Sequence, residues 1–140
     1  MSFLDFKGNH KQICELKNLI NNEKSGVALI TGDSSTGKSS IFHLLKNEKK
    51  YDILFVDDTN FSDTMLQNFI ESRTIENFFK RMKKIVFIDD VDTINIGKQS
   101  LSNFQQWKEK VLILITIKIR EEKKFKNMWK KIIDTTIYLN

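Results

Sequence analysis

The sequence predicts an α/β fold: a five-stranded parallel sheet with helices on both faces, three layers in all. Three observations lead to this expectation. Short β-prone apolar runs alternate with segments whose apolar residues recur at helical spacing, the pattern of successive β–α–β crossovers. The longest run, Val111-Leu112-Ile113-Leu114-Ile115-Thr116-Ile117, is apolar or β-branched throughout, as a strand buried on both faces requires. A loop of small residues, Gly32 to Ser39, joins the first apolar run to a helical segment.

Each element has its own signal. Asn9 to Ile20 places Ile13, Leu16 and Ile20 on one helical face, and Ser25 to Thr31 reads as the first strand. After the small-residue loop, Ile41, Phe42, Leu44 and Leu45 mark a helix. The second strand, Asp52 to Val56, ends in Asp57 and Asp58. Ser62 or Asp63 can cap a helix carrying Met65, Leu66, Phe69 and Ile70, and Thr74 another carrying Ile75, Phe78, Phe79 and Met82. The third strand, Ile85 to Ile88, delivers Asp89 and Asp90. Beyond a loop at Asn95-Ile96-Gly97, Leu101, Phe104 and Trp107 mark a short helix before the long Val111 to Ile117 strand. A basic helix follows, with Phe125, Met128, Trp129 and Ile132 as its core-facing stripe, and Thr135 to Leu139 forms the last strand. Right-handed crossovers then put a ligand site at the carboxyl ends of the strands.

At 140 residues, with no proline and no low-complexity linker, residues 1–140 read as one domain. The chain is 40% apolar and 29% charged, a soluble globular composition, and no apolar run nears the ~18 residues of a membrane span, so no membrane partner is expected. No secretory signal is evident at Met1 to Asp5. The single cysteine, Cys14, excludes an intramolecular disulfide and a cysteine-rich metal site, which fits a reducing intracellular setting, cytoplasm or nucleus. Beside Ile13 and Leu16, Cys14 is expected to be a buried or half-buried filler. His10 and His43 lack a partner at ligand spacing. The net charge of +5 gathers at Lys118, Arg120, Lys123, Lys124, Lys126, Lys130 and Lys131. Two readings stay open there: a solvated helix face, which the apolar stripe favours, or a DNA-backbone contact. Trp107 and Trp129 read as packing residues.

Residues 32 to 39, Gly-Asp-Ser-Ser-Thr-Gly-Lys-Ser, complete the pattern G-x-x-x-x-G-K-[ST] between a strand and a helix. Such a loop curls so that backbone N–H groups converge on phosphates at a helix N-terminus, which points to a nucleoside triphosphate. Gly32, Ser34, Ser35, Thr36, Gly37, Lys38, Ser39 and Ser40 are the expected phosphate cradle. Lys38 reaches the terminal phosphates, and the Ser39 hydroxyl ligates Mg²⁺. Asp89, carried to the end of a buried strand, is the expected second carboxylate-side partner of that Mg²⁺, acting through water. Asp90 stands where hydrolytic proteins commonly present a glutamate to the attacking water. Aspartate is one methylene shorter, and a setback of about an ångström can cost about a hundredfold in rate. Thr116, near the end of the long strand, is a candidate to hydrogen-bond the γ-phosphate or the attacking water; ordinary β propensity explains it equally well.

In this order the motifs resemble the nucleotide-binding core of AAA+ ATPases, and within them the clamp-loader group exemplified by replication factor C. The leader Phe3 to Gln12 looks like the segment lying over adenine, with Gly8-Asn9 at its turn. Tyr51 to Thr59 is similar to the second strand and its acidic turn, Ile88-Asp89-Asp90-Val91-Asp92 to the second nucleotide motif, and Leu112 to Thr116 to the sensor strand. The resemblance implies ATP and Mg²⁺ as ligands, weak or partner-stimulated ATPase activity, and a protein partner in DNA replication or repair. Departures are Asp33 and Ser34 for two prolines, Ser35 for glycine, and Asp90 for the catalytic glutamate. Lys130, Lys131 and Asp134 lie where the resemblance places an arginine presented to a neighbour's ATP. The sequence ends at Asn140, just after the fifth strand, so the family's helical lid is not expected within it, nor a ring-forming motor made by this chain alone; a minimal, virus-encoded relative would fit. Two alternatives remain: a small kinase of a nucleoside or metabolite, using Asp57 or Asp58 and a Lys118 to Lys126 lid, and a non-catalytic scaffold stabilised by nucleotide.

Overall fold

In the computed structural model the described residues are 10–22, 25–32, 40–48, 51–72, 83–94, 96–118 and 122–139. The apolar runs become five strands: β1 (Gly26–Gly32), β2 (Tyr51–Val56), β3 (Lys83–Ile88), β4 (Leu112–Lys118) and β5 (Thr135–Tyr138). Every pairing is parallel and the order across the sheet is β2-β3-β4-β1-β5. The helices are α1 (His10–Asn22), α2 (Ser40–Asn47), α3 (Asp63–Glu71), α4 (Lys98–Trp107) and α5 (Glu122–Trp129), with a 3-10 turn at Val91–Thr93. The predicted helix after Thr74 lies outside the described residues.

Alternation along each strand divides the apolar residues between two cores. Ala28, Ile30, Ile85, Phe87, Leu112 and Leu114 point to the layer of α1 and α2, where they meet Ile13, Leu16, Ile20, Ile41 and Leu45. Val27, Leu29, Val86, Ile88, Ile113 and Ile115 point the other way, to Leu66 and Ile70 of α3, Phe104 and Trp107 of α4, and Phe125 and Trp129 of α5. Both tryptophans are buried packing residues, as their spacing suggests, and the rings of Phe104 and Trp129 lie 5.0 Å apart. Among the described residues no helix is long and apolar enough to cross a membrane.

Polar contacts fix the layers to the sheet. Ser62 caps α3, its hydroxyl accepting from the Met65 N–H at 3.3 Å. At the start of β3, the Lys83 ammonium donates to the Ile20 carbonyl near the end of α1. Its neighbour Lys84 donates to the carbonyls of Phe69, at 2.7 Å, and Ser72 at the end of α3. Cations at helix C-termini satisfy terminal carbonyls and oppose the helix dipole. Edge strand β5 is latched by Asp134, whose carboxylate accepts from the Val27 N–H at 2.9 Å and from the Lys108 ammonium at 2.9 Å. That close approach needs Gly26: its φ is +127°, and an added Cβ would sit 3.0 Å from Asp134 Oδ2.

Two expectations are corrected. Cys14 is exposed. One residue on from Ile13 the helix has turned by about 100°, which carries the thiol away from the Ile13–Leu16–Ile20 face. Met128 is 54% exposed although it fits the apolar spacing of α5. It sits on the flank of the stripe, about 60° from Phe125 and about 100° from Trp129, and those two aromatic rings fill the core-facing sector. Ile132 is buried, but from the turn after α5 rather than from the helix. His43 is exposed.

Candidate functional site

Three adjacent strands, β3, β4 and β1, bring the predicted site residues to one edge of the sheet. β1 ends at the buried Gly32, and the next described residue, Ser40, opens α2. Ser34, Ser35, Thr36, Gly37, Lys38 and Ser39 lie outside the described residues. Thr116 of β4 pairs in register with Ile30 of β1, and Asp89 follows Ile88, the last residue of β3. Strand parity gives Asp89 the face of Ile85 and Phe87, and Thr116 the face of Leu112 and Leu114. This is the face covered by α2.

Hydrogen bonds join the two strand ends. The Thr116 hydroxyl donates to Asp89 Oδ1 at 2.8 Å and accepts from the Asp90 N–H at 2.8 Å. Thr116 is fully buried, whereas both aspartates are half-buried. A hydroxyl has one proton, and in this arrangement that of Thr116 goes to Asp89. Asp90 is in the left-handed conformation, φ 48° and ψ 59°, which aspartate tolerates better than most residues. Its carbonyl accepts from the Thr93 N–H at 2.9 Å and the Thr93 hydroxyl at 2.7 Å, so its backbone is held on both sides. The Asp89 N–H bonds the Val56 carbonyl at 2.9 Å, continuing the β2–β3 ladder past the last paired residue. Asp89 therefore presents a carboxylate at a fixed place, a hard oxygen donor of the kind Mg²⁺ takes once or twice per site alongside phosphate oxygens and water. The donor chemistry fits that ion.

Beyond β2 the chain makes the acidic turn that the sequence marks at Asp57, Asp58 and Thr59, and the structure adds its hydrogen bonds. Asp57 Oδ1 accepts from the Thr59 hydroxyl at 2.5 Å and the Thr59 N–H at 2.9 Å, and the Asp57 N–H bonds Asn60 Oδ1 at 2.8 Å. The Thr59 hydroxyl, followed by its backbone N–H, holds the Asp57 carboxyl below its ordinary value of 3.8. The run Asp-Asp-Thr-Asn after an apolar strand carries the composition of such a turn. A second feature had no sequence signal: Thr31, next to Gly32, is fully buried and its hydroxyl has no hydrogen-bond partner among the described residues. By parity it faces the opposite layer from Thr116.

A parallel sheet in this order, with a phosphate-loop sequence after β1 and an acid after β3, defines a P-loop nucleoside-triphosphatase fold. The model of the AAA family, ATPases associated with various cellular activities, matches residues 28–130, more than half of the chain, and the chain belongs to that family. No curated protein matches the sequence significantly. The structure is similar to the RuvB Holliday junction branch migration motor of Thermotoga maritima, with TM-score 0.68 and 14% identity over 99% of this chain and 47% of that one. It is also similar to the FIGL-1 AAA domain in complex with ADP, with TM-score 0.69 and 14% identity over 99% of this chain and 55% of that one. The chain thus spans about half the length of these solved structures, and at such identity the likeness is one of fold. The comparisons support the AAA core and do not single out the clamp-loader group.

Proposed function

We propose that this chain is an ATP- and Mg²⁺-binding AAA module that serves a DNA replication or repair assembly as a nucleotide-dependent switch, with slow hydrolysis that depends on a partner. The observation that carries the reading is the hydrogen-bonded bridge from Asp89 through Thr116 to the Asp90 N–H, which ties the end of β3 to β4, the strand beside the one that precedes the phosphate-loop sequence. In this reading Gly32, Ser34, Ser35, Thr36, Gly37 and Ser40 cradle the phosphates, and Lys38 neutralises them. Ser39 and Asp89 hold Mg²⁺, which when bound offsets charge on the phosphate oxygens. Thr116 fixes the direction of the Asp89 carboxylate. Asp90 is set on a pinned backbone with a side chain too short to bring its carboxylate where a glutamate would reach, which favours slow turnover.

A structural relative crystallised with ADP and another that drives branch migration support the ligand class and the DNA-processing context. The clamp-loader-like role rests on Ile88 to Asp92 and the Tyr51 to Thr59 segment. The kinase alternative is weakened because Asp57, one of its two candidate acceptor acids, has an oxygen engaged by Thr59 and a depressed carboxyl, a poor proton acceptor.

Calorimetric titration with Mg-ATP and Mg-ADP tests binding, and steady-state turnover with and without primed DNA and a sliding clamp tests the role. Wild type binds both nucleotides and Lys38→Ala loses ATP affinity by at least tenfold; equal affinity in the two proteins removes the phosphate-loop assignment. Asp90→Glu hydrolyses faster than wild type, and Asp90→Ala matches wild type if the aspartate no longer orients water. Robust phosphate transfer to a nucleoside replaces the switch by the kinase.

A further inference from the structure

On the layer opposite α1 and α2, a groove of about 360 Å³ runs between α4 and the end of α5. Its apolar lining is Leu101, Met128 and Ile132, and its polar lip includes Gln105, Lys130 and Lys131. Met128 is 54% exposed, one of two large apolar residues among those described that stand so far into solvent. Lys130 and Lys131 are exposed, and among the described residues neither is paired with a carboxylate.

The turn bearing the lysines is held from several directions. Ile132 and Ile133 N–H groups both bond the Trp129 carbonyl, at 2.8 and 3.0 Å, and Gln105 donates to the Lys131 carbonyl at 3.3 Å. Lys108 donates to the Ile132 carbonyl at 2.9 Å while it pairs with Asp134 at 2.9 Å. The backbone that carries these two cations is therefore held beside the apolar floor, with little backbone ordering left to lose on association.

We propose that this groove docks an acidic segment of a partner protein, one that places an apolar side chain against Met128 and Leu101 and carboxylates against Lys130 and Lys131. Charge complementarity selects the acidic character, and the apolar floor selects a peptide over a nucleic acid. A phosphate backbone would satisfy the lysines yet leave Met128 and Leu101 uncovered. The site lies apart from the phosphate-loop edge, so the proposal does not depend on whether ATP is hydrolysed.

The test uses the full chain without nucleotide and a displayed library of random twelve-residue peptides. Selected peptides should share an apolar residue flanked by Asp or Glu. By fluorescence anisotropy, a synthetic copy of the best of them should bind about tenfold more weakly to Met128→Ala and to Lys130→Glu/Lys131→Glu, with thermal midpoints unchanged because these side chains are exposed. Salt should weaken binding to wild type and have less effect on the lysine double variant. Selections without an acidic apolar consensus, or peptides indifferent to both variants, overturn the proposal. So does tighter binding of a labelled DNA oligonucleotide that Lys130→Glu/Lys131→Glu abolishes and Met128→Ala leaves intact. Concentration-dependent dimerisation lost in Met128→Ala would assign the groove to a second copy and would likewise overturn it.

Discussion

Replacing threonine by valine at two positions of the same sheet should shift stability in opposite directions. Thr116 and Thr31 are both fully buried and both stand near strand carboxyl ends, so the exchange keeps shape and β propensity at either position. At Thr116 it removes a donor to the Asp89 carboxylate and an acceptor for the Asp90 N–H, both at 2.8 Å. A bond to a charged group contributes about 1.5–3 kcal/mol and an orphaned buried partner costs about 1–3 kcal/mol. Because both aspartates are only half-buried, water recovers part of this, and a net loss of about 1–2 kcal/mol is expected. For 140 residues that lowers the thermal midpoint by about 3–8 °C. At Thr31 the hydroxyl has no partner among the described residues, so its replacement by methyl ends a desolvation penalty and raises stability by about 1 kcal/mol. Urea denaturation of wild type and the two variants at one temperature reads the difference of about 2–3 kcal/mol between them. If the two variants move in the same direction by the same amount, the Thr116 bridge contributes nothing and the reasoning fails.

Other consequences can be measured in the same way. Gly26→Ala should destabilise by about 2 kcal/mol, since alanine is strained at positive φ and its Cβ meets the Asp134 carboxylate; adding Asp134→Ala should not restore stability, because the φ strain remains. Asp57 has a folded carboxyl value depressed below 3.8, so its contribution is present above that value and disappears as pH falls through the lower folded one. In urea titrations from about pH 5 to about pH 2, Asp57→Asn should therefore decline less steeply than wild type.

The central strands of this chain were legible because they are buried on both faces and carry unbroken β-prone residues, as in Ile85 to Ile88 and Val111 to Ile117. Ser62 was legible as a cap because a hydroxyl precedes a run with helical periodicity. The order of strands was not, since which strand lies between β1 and β3 is decided by packing of whole layers rather than by any local residue pattern. For the same reason Asp89 and Thr116 were each singled out, yet their bond, formed between residues 27 positions apart, needed the register of β3 on β4. Cys14 and Met128 were misplaced by the coarseness of helical spacing. A residue beside an apolar stripe can face either way, and ring size at Phe125 and Trp129 settles it for Met128. The latch formed by Asp134, Lys108 and Gly26 left no trace in composition because it depends on tertiary approach.

The adjacent lysines at the start of β3 bear on a problem that faces any strand apolar on both sides. Ile85, Val86, Phe87 and Ile88 are similar enough that sliding the strand by one position would exchange the faces with little change in hydrophobic burial. The polar ends are not interchangeable in this way. One step of slippage would leave a helix terminus, at Ile20 or at Phe69 and Ser72, without its ammonium group, and would turn Asp89 away from Thr116. The strand is thus indexed from its two ends, like a rule with marks only at its tips. An insertion or deletion within β3 should be harder to tolerate than most substitutions there.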